Sequence, residues 1–114
     1  MKRLIRNDGT KATLLVIQGV DLGTRFKLGT EPAGVGRGVR NEIRILDTEA
    51  SRQHAVISYK NGGYVIADQN SSNGTLVNGT QIQLAKLSNG DHIQIGRSLL
   101  LFSSQAIDED SRYM

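Results

Sequence analysis

Apolar and polar positions alternate along this chain in short runs, and turn-forming residues interrupt each run. Ala12-Thr13-Leu14-Leu15-Val16-Ile17 has the β-branched and aliphatic content of a buried strand. Asp21-Leu22-Gly23 supplies a turn, and Thr24-Arg25-Phe26-Lys27-Leu28 returns with alternating apolar positions, so 12–28 reads as a hairpin. Pro32 limits the next strand to a short one that leads into Gly34-Val35-Gly36-Arg37-Gly38, read as a glycine-rich loop. Glu42-Ile43-Arg44-Ile45 then alternates again. His54 to Lys60 and Tyr64 to Asp68 pair across Asn61-Gly62-Gly63, and Leu76-Val77 meets Gln81-Ile82 across Asn78-Gly79. Asp91 to Ile95 and Ser98 to Phe102, separated by Gly96, close the series.

Asn-Gly dipeptides occur at 61, 73, 78 and 89, where both residues accept positive φ at little cost. No window of ten or more residues carries the helical period. About ten short strands in roughly ninety residues predict an all-β fold, an antiparallel β sandwich whose loops gather at its two ends. The expected organisation is one domain over residues 11–104, a polar tail over 1–10 and an acidic tail over 105–114.

Composition narrows the function classes. A chain of 114 residues suffices for a single core. It contains no cysteine, which excludes disulfides and thiolate zinc sites and makes a reducing, cytoplasmic setting the expectation. The longest apolar runs are too short for a membrane-spanning helix, and no apolar segment follows Met1-Lys2-Arg3 as a signal peptide would require. Net charge is +3. Four arginines, at 37, 40, 44 and 52, fall within sixteen residues, whereas Asp108-Glu109-Asp110 makes the C-terminal end acidic.

Three small-residue stretches carry the candidate chemistry: the glycine-rich run around Arg37, Ser51-Arg52-Gln53-His54, and Asn70-Ser71-Ser72-Asn73-Gly74-Thr75. Gathered at one end of a sandwich, they would bring Arg37, Ser51, Arg52, Ser72 and Asn73 onto one surface suited to a phosphate ester. A guanidinium grips two phosphate oxygens through a planar fork and stays charged at every physiological pH. A serine hydroxyl adds a donor, and an asparagine amide can pair with a peptide unit of an extended ligand. Gly36 and Gly38 would let the backbone adopt unusual φ or approach closely. His54 is expected to hold neighbouring loops by hydrogen bonds rather than to touch a ligand.

Taken together, Gly36-Arg37, then Ser51-Arg52-Gln53-His54, then Ser71-Ser72-Asn73-Gly74-Thr75 with Val77-Asn78-Gly79 behind it closely resemble the signature of forkhead-associated (FHA) domains. Asn41-Glu42-Ile43, Asp68 and Gly90-Asp91-His92-Ile93-Gln94-Ile95-Gly96 extend the resemblance over roughly residues 12–103. It implies an eleven-stranded sandwich whose apical loops bind phosphothreonine peptides of partner proteins, a signalling adaptor downstream of a Ser/Thr kinase. On that resemblance Arg37 and Ser51 hold the phosphate, Arg52 assists and Ser72 sits beside it. Asn73 would bind the peptide backbone, and Gly36, His54 and Gly74 would shape the loops. The chain departs from the family pattern at Gln69 and Asn70, where an apolar residue and a glycine are common. Asn70 can take the left-handed conformation a glycine would.

Other readings are weaker on the residues. Ser51 and His54 form no nucleophile elbow, the glycines at 34, 36 and 38 are followed by no Gly-Lys-Ser/Thr, and two histidines without a thiol make a poor metal set. No catalytic residue, metal or cofactor is therefore expected. Nucleic-acid binding through the arginine cluster lacks a stacking platform, since aromatic residues make up 4% of the chain. Phosphate-independent protein contact by the same fold is a further alternative, against which the joint presence of Arg37, Ser51 and Asn73 argues. Thr10 raises one more idea: a phosphorylated tail folding back onto its own domain.

Overall fold

Alternation fixes which side of each strand is buried. In β1 (Ala12–Gln18) the even-numbered residues Ala12, Leu14 and Val16 are buried, and the residues between them are half-buried. The apolar run that reads as wholly buried thus contributes one face to the core. The computed structural model describes residues 9–104, and the strands that follow in that span are β2 (Arg25–Leu28), β3 (Ala33–Gly36), β4 (Ile43–Arg44), β5 (Ala55–Lys60), β6 (Gly63–Asp68), β7 (Thr75–Val77), β8 (Thr80–Ile82), β9 (Leu84–Leu87), β10 (His92–Ile95) and β11 (Ser98–Ser103). The expected tails lie outside the described residues, apart from residues 9 and 10.

The strands form two sheets, ordered β2-β1-β11-β10-β7-β8 and β4-β3-β5-β6-β9. Leu14, Val16, Ile93, Ile95, Leu100 and Phe102 from the first sheet meet Val35, Ile43, Ile57 and Ile66 from the second, all at most 1% exposed. Each such side chain contributes about 1.5–3 kcal/mol by leaving water. Tyr64 crosses between the layers: its ring meets Phe102 edge-on at 5.7 Å, and its hydroxyl donates to Gly29 O at 2.6 Å. Burial, with a smaller contribution from Tyr59, pushes the Tyr64 phenol up to about 12, so it stays protonated and keeps that bond at any ordinary pH.

The sandwich matches the expected all-β class, with three local corrections. β3 and β4 pair in parallel, with Val35 opposite Ile43, so the fold is not wholly antiparallel. The two strands are joined by a crossing loop rather than a tight turn, and no hairpin dictates their direction. β9 is a strand that the pattern did not predict. It pairs with β6, and as an edge strand it leaves Leu84 exposed, which blurs the alternation. Finally, Gly34, Val35 and Gly36 belong to β3, so the glycine-rich loop starts at Arg37.

The Asn-Gly dipeptides divide into two kinds. At 61–62 and 78–79 both residues have positive φ, as two-residue hairpin turns require. At 73–74 and 89–90 only the glycine does. Asn70 has φ 58°, so it takes the left-handed conformation in place of glycine.

Candidate functional site

Strand direction gathers the three candidate stretches. β3 ends, β5 begins, β6 ends and β7 begins at one pole of the sandwich, because Ala55 faces both Val35 and Asp68 across the second sheet and Thr75 faces Ile95 across the first. This apical end also carries the end of β1 and the start of β11, with Gln18 opposite Leu99. The loops 37–42, 45–54 and 69–74 therefore emerge side by side, joined by the β1–β2 and β10–β11 turns.

Arg37 is set by its backbone before its side chain acts. Its N–H donates to Ser51 O at 3.0 Å, and the next N–H, from Gly38, donates to Arg52 O at 3.1 Å, lacing the first loop to the second. This close approach explains Gly36. A Cβ there would collide with Arg52 O and lie 2.8 Å from Ser51 O, both backbone atoms. Gly36 does not have positive φ, so it is needed for space and not for an unusual backbone conformation. The Arg37 side chain is half-buried, and its Nε donates to Ala50 O at 3.1 Å. That bond orients the guanidinium while its terminal nitrogens carry no bond among the described residues.

Ser51 and Ser72 meet directly: the Ser72 N–H donates to Ser51 Oγ at 3.0 Å. An oxygen accepting that bond still has its own hydrogen to donate. Asn73 donates from Nδ2 to Glu49 O at 3.0 Å, which fastens the third loop to the second and leaves its carbonyl oxygen and second amide hydrogen for other partners. Arg52 is exposed. Arg37, Ser51, Ser72 and Asn73 thus belong to one set of bonded loops, and the Arg52 carbonyl joins it by accepting from the Gly38 N–H and the Asn41 amide.

His54 is wholly buried and ties the loops from beneath. The Ser51 N–H donates to its Nδ1 at 3.0 Å, and its Nε2 lies 2.9 Å from Gly74 O. An N–H can only donate and a carbonyl can only accept, so these partners fit the neutral tautomer with the hydrogen on Nε2. Gly74 has φ +85°, and the turn it makes turns its carbonyl toward the imidazole and its N–H toward Ser71 Oγ at 2.9 Å.

Two aspartates complete the scaffold. Asp68 accepts from the Ser71 N–H, the Ser71 hydroxyl and the Thr75 hydroxyl. Burial pushes its carboxyl up, but these hydrogen bonds outweigh it and hold the group below the usual aspartate range. Asp47, 5% exposed, has the same balance: burial opposes ionisation, and bonds from the Glu49 N–H, the Ser98 hydroxyl and the Arg97 N–H prevail. Asp47 was not singled out from the sequence. Its bond to the N–H two residues on is the Asx-turn signature and could have been found. Its partners at 97 and 98 could not. Asn41 is also structural, donating from Nδ2 to Gly38 O at 3.0 Å and Arg52 O at 2.7 Å.

Thr10 lies at the opposite pole. It precedes the start of β1, and the neighbouring Lys11 N–H donates to Leu28 O at 2.8 Å. β1 separates it from the apical loops by about 20 Å, and the strand is hydrogen-bonded on both sides. A phosphate on Thr10 could reach its own domain's loops only if β1 peeled away, so the fold-back idea is corrected.

A two-sheet sandwich with an arginine, two serines and an asparagine locked into adjoining apical loops has the form of a binding module. The FHA domain family model matches residues 34–96, and the chain belongs to that family. It is 36% identical over 100 residues to the glycogen accumulation regulator GarA of Mycolicibacterium smegmatis, a match covering 88% of this chain and 63% of that protein. The chain therefore spans less than two thirds of that relative's length. Among solved structures, one from work on phosphothreonine-dependent FHA domain interactions superposes with a TM-score of 0.79 at 33% identity, covering 86% of this chain and all of that one. Mycobacterium tuberculosis EmbR in complex with a low-affinity phosphopeptide gives a TM-score of 0.76 at 33% identity over 85% of this chain and 25% of that one.

Proposed function

We propose that this module captures segments of partner proteins that carry phosphothreonine, acting as a signalling adaptor in the cytoplasm downstream of a Ser/Thr kinase. The observation that carries this reading is the Arg37–Ala50 bond together with the Ser72–Ser51 bond. They fix a guanidinium and a serine hydroxyl side by side while leaving their outward donors unused. A phosphate brings about two negative charges and three acceptor oxygens. Arg37 and Ser51 hold it by charge-assisted bonds, Arg52 adds a second cation and Ser72 lies beside it. Asn73 bonds a peptide unit of the ligand with the amide atoms that Glu49 does not use. No reaction follows capture.

Calorimetry with a phosphothreonine peptide, its unphosphorylated counterpart and a plain oligonucleotide tests the reading. Only the first should bind. Arg37→Ala should weaken that binding by about 2–5 kcal/mol, the cost of truncating one partner of a charge pair. Affinity should also fall from pH 7.5 to 5, because the phosphate's second pKa lies near 6. Binding of the oligonucleotide alone, or undiminished binding by Arg37→Ala, would reject the assignment.

A further inference from the structure

Apolar side chains in water collect where something is meant to cover them, and this domain collects them beside the phosphate loops. Five large hydrophobic residues are exposed among the described residues, and three of them, Val20 (68%), Leu22 (67%) and Leu46 (50%), belong to two joined apical segments. Asp21, between the first two, accepts the Leu46 N–H on its Oδ2 at 2.8 Å. The β1–β2 turn is thereby fastened to the start of the 45–54 loop.

That loop is held along its length. Asp47 anchors it to Arg97 and Ser98, Asn73 binds Glu49 O, Arg37 binds Ala50 O and His54 binds the Ser51 N–H. One fixed ridge therefore runs from the apolar residues at 20, 22 and 46 to the phosphate donors at 37 and 51. Leu46 is five residues from Ser51, and the turn closed by Ala50 N–H on Asp47 O shortens the path. The separation is below about 17 Å, the reach of five extended residues.

We infer that Val20, Leu22 and Leu46 form a second contact for the same phosphorylated partner, taking aliphatic residues four to eight positions from the phosphothreonine on one side. The inference rests on the phosphothreonine reading above and adds a specificity element to it. The ridge is fixed before binding, so an aliphatic side chain laid on it gains burial without ordering the loop. Burying one such side chain is worth about tenfold in affinity.

The probe is a phosphothreonine peptide library with the three nearest residues on each side held constant and positions four to eight randomised. The unmodified chain should enrich aliphatic residues about tenfold on one side. The triple variant Val20→Ser, Leu22→Ser, Leu46→Ser should still capture the library but lose that enrichment. No enrichment in the unmodified chain, or enrichment retained by the triple variant, would overturn the inference and leave the phosphate reading intact. If Arg37→Ala captured the library undiminished, the phosphate reading would fall and this inference with it. Self-association of the unmodified chain in sedimentation, abolished by the triple variant, would assign the patch to a second copy and overturn the inference.

Discussion

The two poles of the sandwich solve different problems. At the basal pole the chain only has to reverse, and it does so with tight turns: Asn61-Gly62 and Asn78-Gly79 both at positive φ, and Gly90 after Asn89. Short polar links secure them, as where Asn78 donates to Asp91 and Asp91 accepts the Ser88 N–H. At the apical pole the loops are longer and are held to one another by side chains: His54, Asp47, Asn73, Asn41 and Arg37 each bond to backbone from another turn or loop. A turn residue at the base answers to its own φ. An apical residue answers to its neighbours. Loops that must present donors in fixed positions are braced to one another across the whole pole, whereas the basal turns take their shape from backbone φ and add single ties such as those of Asn78 to Asp91 and His92 and of Tyr64 to Gly29.

The strongest way to break this contrast is to remove the brace beneath the site. His54→Ala leaves the Ser51 N–H and Gly74 O unpaired in the interior and opens a cavity, so it should cost about 3 kcal/mol in urea denaturation. Phosphopeptide affinity should fall with it, because Ser51 loses its anchor. A variant as stable as the parent would show that the apical loops hold without the imidazole. Gly36→Ala comes next, at about 2 kcal/mol, since its Cβ meets carbonyls that move only if the 37–42 and 45–54 loops part. Its signature is loss of binding together with stability.

The same contrast decides what the sequence reveals. Basal turns are local, so Asn61-Gly62 and Asn78-Gly79 are legible from two residues. Ten of the strands follow from alternation, but β9 does not, because an edge strand with an exposed leucine lacks the two-sided signal. The parallel direction of β4 is set by which strand it meets, and no local pattern encodes that. In the candidate site, Arg37, Ser51, Ser72 and Asn73 stand out in the sequence because their side-chain chemistry suits an anion and a peptide. Their anchors on Ala50 O and Glu49 O are backbone atoms, which have no residue type to read. Asp47 is intermediate: its local turn is written in the sequence, but its grip on Ser98 spans fifty-one residues.

Asp47 makes the apical bracing sensitive to pH. Its folded carboxyl titrates below the usual range, so the stability it contributes is full above the unfolded value, about 3.9, and is lost as pH falls through the folded one. Asp68 and Glu42, also held low, add to the same acid slope. The domain should therefore stay folded between pH 7.5 and 5, where phosphate binding weakens, and lose stability only below about pH 4. Asp47→Asn should cost about 1.5 kcal/mol at pH 7 by weakening bonds to a charged group. It should also flatten the acid slope in denaturation measured from pH 7 to 3. An unchanged slope would mean that Asp47 is not what acid attacks.

The smallest effect belongs to the base. Gly62 has φ +82° and nothing within 4 Å of where a Cβ would stand, so Gly62→Ala meets a backbone penalty and no clash. The cost should be about 1 kcal/mol, that of placing an L residue in the left-handed region. Because the turn shares no bond with the apical loops, phosphopeptide affinity should match the parent's while the urea midpoint drops. Gly36→Ala adds the same methyl group at the other pole and should lower both. Measuring the pair by calorimetry and denaturation separates a glycine required by its own φ from one required by its neighbours' carbonyls. A drop in affinity for Gly62→Ala would show that the two poles are mechanically coupled, contrary to the division drawn between them.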